Sequence, residues 1–140
     1  MTSDTSSATF APGAITTPWR TTIAVVWVGI GIGLASVWSA SRQVGLSTWW
    51  LGPPTYGRPA VLAVAVFAPV VVVVAACVVM QRHLWLLASI AGLAIIGIGL
   101  GDIGRVTGLA LVEIALGVSG SATGVAALAG TARRAPHEPR

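Results

Sequence analysis

Lysine and asparagine do not occur in this 140-residue chain, cysteine occurs once, and charged residues make up only 9% of it. The lone Cys77 excludes an intramolecular disulfide. The shortage of charge, set beside 55% hydrophobic residues and a mean hydropathy of +0.87, excludes an ordinary soluble domain. A chain this short cannot hide so much apolar surface inside itself, so lipid has to supply the missing half of the core. Lysine and asparagine both use A-rich codons. Their joint absence points to a high-GC bacterial source and says nothing of mechanism.

Histidine and acid are equally scarce. The two histidines are His83 and His137, and the acids are Asp4, Asp102, Glu113 and Glu138. Hydrolytic catalysis needs a nucleophile, a base and an orienting acid within hydrogen-bond reach. His83 and Asp102 instead bracket an apolar run and stand ~28 Å apart along a straight helix. No histidine, cysteine and carboxylate cluster has metal-ligand spacing. The residues Gly99–Leu–Gly–Asp–Ile–Gly104 satisfy G-x-G-x-x-G, yet a dinucleotide site needs a preceding strand in a βαβ unit, and here the glycines close an apolar helix. The expectation is a non-enzymatic protein with no cofactor and no metal.

The net charge of +4 comes from eight arginines, at 20, 42, 58, 82, 105, 133, 134 and 140. They are scattered beside apolar runs and form no stripe that could follow a phosphate backbone, so nucleic acid is excluded as a partner. This is the placement of arginines that flank membrane helices.

Runs of about 20 apolar residues, the length that crosses ~30 Å of hydrocarbon at ~1.5 Å per residue, fall at approximately 21–40, 60–80, 84–101 and 106–129. The expected fold is therefore all-α, a polytopic bundle of four transmembrane helices over residues 20–130. Polar tails rich in Ser, Thr, Ala and Pro, 1–19 and 131–140, are expected to be disordered. The first run could serve instead as a signal peptide, with Ser39, Ala40 and Ser41 as a cleavage site, but it is longer than a signal core and follows a long polar leader. An uncleaved helix is the better expectation.

Tryptophan supports this frame, because indoles favour the headgroup layers. Trp19 and Trp38 bracket the first run, Trp85 opens the third, and only Trp27 falls mid-span. An even number of spans puts both tails on the side of Arg82. That side then carries five arginines against three, which places both termini in the cytoplasm of a bacterial cell (inner) membrane. The loop Ser41 to Pro59 and the turn Asp102 to Arg105 would face outward. Trp49, Trp50 and Tyr56 in that loop are expected to lie in the outer headgroup layer, as an anchor or as a surface for a partner.

Small residues recur at helical spacing and predict where helices approach closely. They are Gly29, Gly33, Ser36 and Ala40 in the first run, Ala94, Gly97, Gly101 and Gly104 in the third, and Gly117, Gly120 and Gly124 following Glu113 in the fourth. The second run is valine-rich, and Pro69 should kink it near Ala65. The first, third and fourth runs would form the tight core, with the second more exposed to lipid. The repeated pentapeptide Ile30–Gly–Ile–Gly–Leu34 and Ile96–Gly–Ile–Gly–Leu100 is short enough to recur by chance.

Glu113 is the only acid set deep within an apolar run. Such a residue marks a proton, ion or interhelical site by default. Arg105 lies ~12 Å away along the axis, too far for easy pairing, whereas Asp102 and Arg105 are spaced to pair with each other. A neutral Glu113 donating to Ser36 or to a backbone carbonyl bared by glycine is the expected arrangement, between the Gly33 and Gly97 regions.

The segments Ser47–Thr–Trp–Trp–Leu–Gly–Pro–Pro54 and Gly101–Asp–Ile–Gly–Arg105 resemble those of small four-span membrane proteins of high-GC actinobacteria. That resemblance implies a four-helix membrane fold and no activity. Small multidrug-resistance transporters share the size and span count, but their essential glutamate lies in the first helix, where this chain has no acid. Two expectations follow: a structural or accessory subunit, in a homo-oligomer or larger membrane complex, or a small proton- or cation-coupled transporter using Glu113.

Overall fold

The computed structural model describes residues 15–52, 60–79 and 82–131. The outer parts of both expected tails, together with Tyr56 and Arg58, lie outside these residues. All the regular structure described is helical: α1 Thr17–Val44, α2 Ala60–Ala65, α3 Ala68–Val79, α4 Leu84–Asp102, α5 Thr107–Ala126 and a closing 3-10 turn Ala127–Gly130. Three of the helical stretches, Thr17–Val44, Leu84–Asp102 and Thr107–Gly130, are long and apolar enough to cross a membrane. The second apolar run is divided, and its longer piece, Ala68–Val79, is a shorter apolar helix.

The ends of α1 and the break in the second run have local causes. Pro18 sits in the first turn of α1, where its missing N–H is no loss. Helix therefore begins before Arg20, inside the stretch expected to be tail. At the other end Gly45 adopts φ +72° and donates to the Ser41 carbonyl, a left-handed cap that glycine accepts without strain. The 28 residues of α1 span ~42 Å, so the helix runs past the expected end at Ala40 and projects beyond a ~30 Å core. In the second run the helix breaks at Val66 and Phe67, and α3 restarts at Ala68 with Pro69 in its first turn. Proline cannot donate to the carbonyl four residues earlier, and its ring crowds that carbonyl. Phe67 N–H turns back to the Val64 carbonyl at 3.0 Å instead.

Neighbouring helices run antiparallel. On α4 and α5, Gly92 faces Ser121, Gly99 faces Ala110, and Gly124 faces Ser89. On α1 and α5, Gly33 meets Leu116, while Trp27 and Ile30 lie over Gly120. On α1 and α3, Gly31 meets Val70, and the Arg20 guanidinium donates to the carbonyls of Cys77 and Val78 at the end of α3. That arginine satisfies carbonyls the helix end leaves unpaired. Ile15 pairs with Thr131, and Thr16 N–H donates to the Gly130 carbonyl at 3.2 Å. The two ends of the bundle sequence are thus tied together, and residues 15–19 and 131 belong to the fold.

The seam of small residues differs from the expected one on two helices. Gly29 and Gly97, with Gly104, have nothing within 4 Å of an added Cβ. The buried face of α1 is built from large residues, Ile23, Trp27, Ile30, Leu34 and Val37. On α4 the close approaches fall at Gly92 and Gly99, with Ala88 and Ala91 on the same buried face. α5 buries Glu113, Gly117, Gly120 and Gly124 along one stripe. A glycine on one helix makes room for a large side chain on its neighbour, so only one partner needs to be small. Gly120 receives Trp27 in this way, and Gly33 receives Leu116. Among the described glycines, those that approach backbone of another helix, Gly92, Gly99, Gly117 and Gly124, all lie between α4 and α5, which form the most extensive interface. On the second run Val61, Val64, Val71, Val78 and Val79 are exposed, but Val70, Val73, Ala76 and Cys77 are buried and α3 packs against both α1 and α4, so the core is not confined to the first, third and fourth runs as expected. The two copies of the repeated pentapeptide sit in different environments: Ile30 and Leu34 are buried, whereas Leu100 is exposed.

Candidate functional site

The site is assembled by the loop that follows α1. Gly45 turns the chain, Ser41 Oγ donates to the Leu46 carbonyl at 2.6 Å, and Leu46 N–H returns to the Ser41 carbonyl at 3.0 Å. A second tight turn closes where Gly52 N–H donates to the Thr48 carbonyl at 3.0 Å, with Gly52 at φ +66°. Arg42 donates to the Leu51 carbonyl at 3.2 Å and ties the loop back to α1. Trp49 and Trp50 stand on this turn and leave it towards different helices.

Trp49 lies over Gly101 of α4, where an added Cβ would come within 2.7 Å of its indole nitrogen. Its Nε1 donates to the Ile98 carbonyl at 3.0 Å, and its backbone N–H donates to Asp102 Oδ1 at 2.7 Å. Trp50 is fully buried. Its ring meets Trp38 edge to face at 6.2 Å, the geometry that aromatic quadrupoles favour. Trp38 in turn packs against Phe67 at the break between α2 and α3. The Trp50 Nε1 donates to Glu113 Oε1 at 3.1 Å.

Both carboxylates are wholly enclosed by protein, each at 0% exposure. Glu113 lies on α5 against Gly99 of α4, where an added Cβ would stand 3.0 Å from the Glu113 Cβ. Among the described residues the second oxygens, Glu113 Oε2 and Asp102 Oδ2, have no hydrogen-bond partner, and neither does the buried indole nitrogen of Trp27. Indole is a donor only and a carboxylate oxygen an acceptor, so the Trp50–Glu113 pair satisfies one polar atom on each side of an apolar interior.

The geometry departs from three expectations. Ser36 is exposed and bonds its own helix at the Ile32 carbonyl, and Glu113 accepts from Trp50 in place of the expected donation to Ser36 or to a backbone carbonyl. Asp102 is engaged by the Trp49 backbone, while Arg105 is exposed and, among the described residues, bonds through its backbone N–H to the Asp102 carbonyl and not through its guanidinium to the carboxylate. Trp50 is not spread on the outer surface. It inserts between α1 and α5, while half-buried Trp49 covers the end of α4. The sequence carried a signal for this link: two adjacent donors in a short loop, and two acids on neighbouring helices, Asp102 at the end of α4 and Glu113 two turns into α5. An indole that leaves the interface must find an acceptor, and acceptors are rare in these helices.

Chemically, the pair of carboxylates offers two unoccupied oxygens that can hold a proton or accept a donor. Among the described residues no group of three His, Cys, Asp or Glu side chains could hold a metal ion. Comparison of the chain with protein-family models, with curated proteins and with solved structures finds no match.

Proposed function

We propose that this is a small, non-enzymatic subunit of a bacterial cell membrane, crossing it four times with both termini in the cytoplasm. In this arrangement α2 and α3 together make the second crossing. The 20 residues from Ala60 to Val79, counting the two in the break, would reach ~30 Å if helical along one axis. The protein acts as a structural or accessory component whose outer loop is held in one shape for a partner. The observation that carries this is the burial of Trp50 against Glu113, joined to the Trp49–Asp102 bond. Two scarce and costly acids are used as fixed acceptors for one loop, which is how a rigid recognition surface is built.

The test is photocrosslinking in cells from Leu46, which is exposed on that loop, combined with native mass spectrometry of the complex purified in nanodiscs. The expected result is one defined membrane protein, recovered in fixed stoichiometry and linked through Leu46. Capture of lipid alone, with no subunit in the purified complex, would contradict the proposal.

The unpartnered Glu113 Oε2 favours one second reading, a proton-linked transporter built on this carboxyl. Glu113→Gln separates the two. The amide oxygen still accepts from Trp50, but the side chain no longer exchanges a proton. Loss of a pH-dependent flux in reconstituted vesicles, with the fold retained, is the expectation of the transport reading. An unchanged flux would sink it and leave the accessory role.

A further inference from the structure

A groove runs along the outside of the bundle between α1 and α3. It begins at Arg20, where Thr17, Thr21 and Ala24 of α1 face Cys77 and Val78 of α3. It continues past Val74 and Val78, shared by both halves, into an apolar channel of about 550 Å³. Gly31 and Ala35 form a low wall on α1, and Val70 and Val74 face them from α3. Exposed Val28, Ile32 and Val71 flank the channel. One end is therefore cationic and hydroxyl-bearing, and the rest is wholly apolar.

The lengths fit one chemical occupant. From Ala24 to Ala35 the groove covers ~16 Å of helix, about one leaflet of a ~30 Å hydrocarbon core. The charge fits as well. Arg20 donates through Nε and one terminal nitrogen to the carbonyls of Cys77 and Val78, which fixes the guanidinium at the mouth of the groove. Its other terminal nitrogen has no partner among the described residues. Arg82 and His83 are exposed in the connection after α3, at the same end of that helix. The two acids among the described residues, Asp102 and Glu113, are buried and engaged by the loop that follows α1, at the far end of that helix from Arg20. A fixed guanidinium is well suited to phosphate oxygens, and basic groups at the membrane surface attract anionic lipid.

We propose that the α1–α3 groove is a binding site for one anionic phospholipid, its phosphate on Arg20 and an acyl chain laid along Gly31, Ala35, Val70 and Val74. The site rests on the membrane location of the helices and is independent of the role of Glu113.

The test uses the full chain in phosphatidylcholine nanodiscs. Phosphatidylglycerol and phosphatidylcholine probes carry the same photoactivatable acyl chain, and labelled peptides are read by mass spectrometry. The phosphatidylglycerol probe is expected to label Val28, Ile32, Val70 and Val74 about fivefold more than the phosphatidylcholine probe. Arg20→Gln should bring that ratio close to one. Ala35→Phe keeps Arg20 and fills the channel, so it should remove labelling of Val70 and Val74 by both probes; it serves as the deciding variant if loss of the α3 cap prevents Arg20→Gln from folding. A ratio near one in the unaltered protein, a ratio that survives Arg20→Gln, or labelling undiminished by Ala35→Phe would overturn the site. So would crosslinks between two copies of the chain along this groove in place of lipid.

Discussion

Trp50→Ala is expected to destabilise the protein by about 3–5 kcal/mol, the range for removing a large buried aromatic ring, and to free the outer loop. The milder Trp50→Phe keeps the ring packed on Trp38 and removes only the donor. It leaves Glu113 Oε1 buried without a partner and should cost about 1–3 kcal/mol. Glu113→Leu alone strands the indole N–H in the same way. When both partners become apolar the penalty for an unmade bond disappears, so Trp50→Phe combined with Glu113→Leu should lose clearly less than the two single changes summed. Reversible unfolding in mixed micelles measures all four corners of this cycle. A coupling of about 0.5–3 kcal/mol is expected for groups in direct contact. Additive losses would mean that the indole and the carboxyl do not depend on each other.

The second large effect lies at the α4–α5 interface. An alanine methyl at Gly117 would stand 2.6 Å from the Ile96 backbone nitrogen, and one at Gly124 would stand 2.6 Å from the Ser89 nitrogen. At Gly92 it would press on the Ser121 nitrogen and the Gly117 carbonyl. Backbone atoms within a helix cannot yield as a flexible side chain can, so the two helices must separate. Overpacking costs typically about 1–3 kcal/mol, and these three positions should fall at the upper end. Gly29→Ala and Gly97→Ala are the controls. Nothing lies within 4 Å of either added methyl, so each should be neutral or stabilising by up to about 1 kcal/mol through the lower chain entropy of alanine. Thermal unfolding followed by size-exclusion chromatography distinguishes the two sets. A similar loss at all five positions would show that glycine serves flexibility here and not close approach.

Much of the helical frame is legible in the sequence because lipid demands long apolar runs and proline has a fixed local effect. The break at Val66 and Phe67 follows from Pro69 alone. The rotational phase of α1 and α4 is far less legible. Both helices are apolar nearly all round, and each carries glycines on more than one face, so small-residue spacing cannot say which face meets a neighbour. α5 differs because Glu113 labels its buried face: the acid and three glycines share one stripe. The loop is the least legible part. Tryptophan suits a headgroup layer and an interior acceptor equally well, and sequence spacing does not connect residue 50 to residue 113. Only the turn set by Gly45, Thr48 and Gly52, with the space that Gly101 leaves for Trp49, directs the two indoles to their separate acceptors.

Hydrogen exchange at the Trp50 indole, followed by nitrogen-15 NMR of tryptophan-labelled protein in bilayer nanodiscs, tests the carboxylate-held loop most directly. A strongly protected Nε1–H is expected, with a resonance that shifts in Glu113→Gln and a protection that collapses in Glu113→Leu. An indole that exchanges freely in the unaltered protein, or that is indifferent to the residue at position 113, would contradict a carboxylate-held loop.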